Sequence, residues 1–131
     1  MSRESVEVVR LMYDAFHGGD AERALAHFDP EVVVDATIRV DGGIGRGHDR
    51  LTEVIGQWLD AFDEWSEEIE VMRDLGDQVL VVATQRGRAK GTGLDLSTRY
   101  ALLYEVQEEK ITRMTLYRSP AEAIEAAGLS E

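Results

Sequence analysis

The chain has 131 residues, of which 44% are hydrophobic and 31% charged, and it contains no cysteine. This fits one domain around a single core, residues 1–131, and excludes disulfides, thiol nucleophiles and thiolate metal sites. Its 26 acidic and 14 basic residues give a net charge of −12, which repels phosphate backbones and anionic membranes and argues against nucleic acid or membrane as a partner.

The first segment carries Val9, Met12, Tyr13 and Phe16 at i, i+3, i+4 and i+7, the stripe of an amphipathic helix. It has no hydrophobic core of a signal peptide, so cytoplasm is the default compartment. Gly18-Gly19 stops the helix, and Asp20 can cap a short second one with Leu25 and Phe28 on its inner side. Asp29-Pro30 ends that helix. "VVVDATIRV" (32–40) then reads as a strand. Alternation puts Val33, Asp35, Thr37 and Arg39 on one face and Val32, Val34, Ala36, Ile38 and Val40 on the other. Asp35 therefore has two readings: a wet or edge carboxylate, or a carboxylate aimed into a pocket.

"DGGIGRGHDR" (41–50) reads as a loop. Its glycines lack both the following Gly-Lys-Ser/Thr of a phosphate loop and the spacing of a dinucleotide fingerprint. Leu51, Val54, Ile55, Trp58, Leu59 and Phe62 predict a long amphipathic helix, with Trp65 just past its end. From there the period is two, and 66–75, 78–88, 94–107 and 110–118 read as successive antiparallel strands. Gly76-Asp77 and Glu108-Glu109-Lys110 are tight turns, and 87–93 is a longer hairpin tip. "EEIE" (67–70) reads as a solvated strand face. In "SPAEAIEAAGL" Ser119 is the N-cap, Pro120 the first helical residue, Glu122 the capping-box partner and Gly128 the left-handed C-terminal residue, with Leu129 folding back. Helices first and an antiparallel sheet after them make an α+β order.

Few side chains offer chemistry. His17, His27 and His48 are scattered with no carboxylate at ligand spacing, so neither a metal nor another cofactor is expected. His48, beside the glycine-rich loop, is the one to test. Arg86, Arg99, Arg113 and Arg118 fall on or beside the late strands, with Thr115 and Tyr117. They pair with acidic neighbours across strands or, if facing a cavity, grip a ligand carboxylate or enolate with a planar fork. Trp58, Phe62, Tyr100, Tyr104 and Tyr117 are core aromatics by type.

The stretches "VVRLMYDAFHGGDAERALAHFDPEVVVDA" (8–36), "GRGHDRLTEVIGQW" (45–58) and "EEKITRMTLYRSPAEAIEAAGL" (108–129) resemble the nuclear transport factor 2-like superfamily, in particular its SnoaL-like and ketosteroid isomerase-like members. The resemblance spans nearly the whole chain. It implies a cone-shaped α+β barrel: three N-terminal helices packed in a curved mixed or antiparallel sheet, and a short C-terminal helix. It further implies a small apolar molecule in the mouth of the cone and a homodimer through the sheet.

Against ketosteroid isomerase, Asp35 falls at the general-base position. The tyrosine and protonated aspartate that complete that enzyme's oxyanion hole fall on Met12 and near Ala101, so steroid isomerisation is not implied. Within the fold, Asp35, Arg99 and His48 are the candidate catalytic residues. Met12, Phe16, Trp58, Phe62, Tyr100, Arg113 and Tyr117 are the candidate ligand-binding ones. Two readings follow: a cofactor-free isomerase, lyase (cyclase or dehydratase) or hydrolase with Asp35 as proton acceptor, or a non-catalytic ligand-binding or dimeric interaction module.

Overall fold

A computed structural model describes residues 2–37 and 43–128. The elements are α1 (Ser2–His17), α2 (Ala21–Leu25), β1 (Phe28–Asp35), β2 (Ile44–Arg46), α3 (Gly47–Asp60), β3 (Phe62–Asp74), β4 (Gln78–Ala89), β5 (Asp95–Gln107), β6 (Lys110–Tyr117) and α4 (Pro120–Ala126). The six strands form one open sheet in the order β2-β1-β6-β5-β4-β3. β1 and β6 run parallel and every other pair is antiparallel, so the sheet is mixed. Among the described residues, no helix is long and apolar enough to cross a membrane.

Local chemistry sets the helix ends. Gly19 takes φ +85° after α1, a conformation that strains any residue with a Cβ. Asp20 then accepts the Arg23 N–H at 3.0 Å and starts α2. Ser119 Oγ accepts the Glu122 N–H at 3.2 Å, Pro120 follows, and Gly128 sits at φ +76°. Leu129 lies outside the described residues.

The strands alternate cleanly between two faces. Val32, Val34 and Ala36 of the first strand segment, Val79, Val81 and Ala83 of β4, and Tyr100, Leu102 and Tyr104 of β5 point to the helix side. There they join Val9, Met12 and Tyr13 of α1 and Leu51 and Val54 of α3 in the main core. The other face carries a smaller cluster: Leu80, Val82, Ala101 and Leu103, covered by Ala123, Ile124 and Ala127 at the C-terminal helix. Both faces of β4 and β5 are therefore buried where α4 lies, which explains their near-continuous apolar runs.

Three boundaries differ from the sequence expectation. β1 begins at Phe28, ahead of Pro30. Pairing with β6 jumps from Phe28↔Ile111 to Val33↔Arg113, so Asp29-Pro30-Glu31 sit in an irregularity where proline's missing N–H costs no ladder bond. Ile44–Arg46, expected in a loop, pairs with Val33–Asp35 as β2. The predicted strand residues Ile38–Val40 lie outside the described residues. Finally, α3 ends at Asp60 and Phe62 opens β3 opposite Ala89. A bulge between Asp63 and Ser66, with Glu64 at φ 56°, then resets the alternation so that Trp65 and Glu67 turn to the helix side.

Candidate functional site

Between the helices and the sheet lies a cavity of about 270 Å³. α1 contributes Met12, Tyr13 and Phe16; α2 with its flanks contributes Ala24, Leu25 and Phe28. α3 supplies Leu51, Thr52, Ile55, Gly56, Trp58 and Leu59. The sheet closes it with Trp65, Glu67, Leu102, Tyr104 and Met114. The wall is carbon-rich because the helical stripes and the inner faces of β3, β5 and β6 converge there.

Three polar features interrupt this wall. Tyr13 and Tyr104 hydroxyls meet at 2.6 Å, with their rings edge-to-face at 6.0 Å. Burial holds both phenols protonated by pushing their pKa values upward, and the nearby Glu67 charge pushes the same way. The Glu67 side chain is only 5% exposed, and its Oε1 lies 2.9 Å from His17 Nε2 at the end of α1. Desolvation raises the Glu67 pKa, while the bond and charge of His17 hold it back. The third feature is a pair of indoles: Trp58 and Trp65 both direct Nε1–H to Gln85 Oε1, at 2.5 and 2.8 Å. That shared acceptor fixes two cavity walls at once. Behind them, Tyr100 packs edge-on to Trp58 at 5.0 Å, and its buried hydroxyl has no hydrogen-bond partner among the described residues.

Asp35 is not in this cavity. It lies on the opposite face of the sheet, opposite Thr115 of β6. Its Oδ2 takes a bond from Arg113 Nη2 at 3.0 Å, and its Oδ1 takes one from Thr37 Oγ1 at 2.8 Å. The apolar side of β1 faces the core, so alternation puts the carboxylate outside. Arg113 is therefore outside too, also 3.8 Å from Glu105, and Tyr117 packs beneath α4. Arg99 pairs with Glu70 at 3.1 Å on the same outer side. His48 Nε2 lies 3.0 Å from the Phe28 carbonyl oxygen and ties α3 to β1 rather than lining the cavity. Phe62 packs on Gly87, where no side chain intervenes, and does not reach the cavity either. Among the predicted ligand-binding residues, the structure brings together Met12, Phe16 and Trp58, with Tyr100 in the layer behind.

Glu67 was legible only as one acid of "EEIE". The bulge that turns it inward leaves no mark in the hydrophobic pattern. Among the described residues, no cluster of three or more His, Asp or Glu side chains is placed to hold a metal ion.

An open α+β sheet wrapped on three helices with an apolar cavity between the layers defines the class. The chain belongs to the SnoaL-like domain family, whose model matches residues 9–114. Solved structures share the fold. An NTF2-like protein of unknown function from Burkholderia pseudomallei K96243 is 22% identical, with a TM-score of 0.76 over 95% of this chain and 97% of that one. TerC, co-crystallised with polyporic acid, is 19% identical, with a TM-score of 0.75 over 95% and 98%. A ketosteroid isomerase-like protein from Catenulispora acidiphila DSM 44928, in complex with trimethylamine, is 21% identical, with a TM-score of 0.70 over 95% and 94%. No curated protein matches the sequence.

Proposed function

We propose that this chain is a SnoaL-like ligand-binding protein that takes a small, mostly apolar molecule of one or two rings into the cavity between α1, α3 and the sheet. The observation that carries this reading is the cavity itself, about 270 Å³ and walled by side chains that the core does not need to leave apart. Close packing is the rule in protein interiors, so an apolar space of this size is kept for an occupant. That two fold neighbours hold small molecules, polyporic acid in TerC and trimethylamine in the Catenulispora protein, supports the same reading. Any proton exchanged with the ligand falls to Glu67, the one carboxylate lining the space among the described residues, and not to Asp35.

Gly56 offers a direct test. It lines the cavity, and a Cβ added there meets no atom within 4 Å. The neutral two-ring dye prodan should bind the wild type with a rise in its fluorescence and quenching of Trp58 and Trp65. Gly56→Phe should remain folded and lose this binding. Undiminished dye binding in Gly56→Phe, or none in the wild type, overturns the reading.

A further inference from the structure

The cavity lining carries negative charge, with His17 just outside it. Among the described residues, Glu67 is the one formally charged side chain in its lining, and no lysine or arginine lines it. The arginines that would suit a carboxylate or enolate ligand, Arg99 and Arg113, are on the other face of the sheet and already paired. Glu67 Oε1 is taken by His17, while Oε2 has no hydrogen-bond partner among the described residues. Oε2 is not sealed within the protein, so in a side chain only 5% exposed it is left open on the cavity side, where a ligand's donor or cation can take it. The remaining walls are aromatic. Tyr13, Phe16, Phe28, Trp58, Trp65 and Tyr104 present π-systems, whose negative faces attract cations and not anions. The net charge of −12 raises the concentration of cations near the mouth.

We propose that the cavity selects a hydrophobic ammonium ion, an alkyl- or arylamine whose N–H donates to Glu67 Oε2 and whose carbon body packs on the aromatic walls. This deepens the ligand-binding reading above and rests on it. His17 has a positioning role. By holding Oε1 it fixes the rotamer of the carboxylate and leaves one oxygen for the ligand. Neutral phenols at Tyr13 and Tyr104 add hydroxyl dipoles without bringing a competing charge.

Three probes of nearly one shape separate charge from fit: N,N-dimethylbenzylamine, its neutral isostere isobutylbenzene, and the anion phenylmethanesulfonate. Binding is read at about pH 7.5, where a tertiary amine is a cation, by quenching of the two tryptophans, both of which line the cavity. The ammonium ion should bind about 10-fold or more tighter than the isostere, a ratio set by a desolvated cation–π and ion-pair contact. The anion should bind weakest. In Glu67→Gln the affinity for isobutylbenzene should stay, and the preference for the cation should collapse. Equal affinity for amine and isostere in the wild type, or a preference that survives Glu67→Gln, overturns the inference and leaves the ligand-binding reading standing. Failure of isobutylbenzene and the amine alike to bind the wild type overturns both. The wild-type comparison needs no variant, so a misfolded Glu67→Gln cannot rescue the inference.

Discussion

Asp35 and Glu67 are both strand carboxylates, yet they stand on opposite faces of one sheet and face opposite environments. Asp35 has an arginine, a hydroxyl and a backbone N–H as partners, and its side chain is 14% exposed. Such a pair serves the register between β1 and β6. Asp35→Asn should cost about 1 kcal/mol, the order of a partly exposed ion pair, and should leave ligand affinity unchanged. Urea denaturation beside dye titration checks both; a loss of binding at full stability would return Asp35 to the site. The alternation in "VVVDATIRV" put Asp35 opposite the more apolar face, but a buried dimer face would also favour valine and isoleucine, so only the structure decided that Asp35 points away from the helices. The inward placement of Glu67 was not legible, because the bulge at Glu64–Trp65 shifts the period by one residue and no sequence pattern announces it.

At the scale of elements, the end of α1, the start of α2 and both ends of α4 follow their punctuation, while strand ends and the end of α3 answer to their neighbours. β1 runs through Asp29-Pro30 because Phe28 and Val33 both find partners on β6 with a slip between them. α3 stops at Asp60 because Phe62 is captured by pairing with Ala89. These are tertiary decisions that override a helical stripe continuing to Phe62. α4 is a short helix of seven residues, and its attachment rests on its cap and on Ala123 over Leu80, Val82, Ala101 and Leu103. Ser119→Ala removes the bond to the Glu122 N–H and should cost about 1 kcal/mol. Hydrogen exchange should quicken first in α4 and leave the cavity side protected. Uniform loss of protection across the sheet would mean that α4 is not a separable cover.

For the whole molecule, Glu67 links stability to pH. Burial in the cavity wall raises its pKa above the ordinary 4.5, with His17 restraining the shift. The folded chain therefore holds this proton more tightly than the unfolded chain does. The stability associated with it is complete below the unfolded value and is lost as pH rises through the folded one. Compared with Glu67→Gln, which does not ionise, the wild type should lose stability as pH rises above the ordinary 4.5 and through the raised folded value. Chemical denaturation of both proteins across that range reads the difference; a difference constant with pH would mean that Glu67 is not buried as described. What the sequence determined by itself was the α+β order and the caps of α2 and α4, which rest on local propensity and periodicity, and the kinship of the chain, which rests on its resemblance to the family. Only the tertiary structure decided which residues share the cavity. Met12, Glu67 and Tyr104 are far apart in the chain, and they meet because a strand irregularity, a bulge and the packing of helices on the sheet bring them together. Such features arise from pairing between distant segments, which no single stretch of sequence encodes.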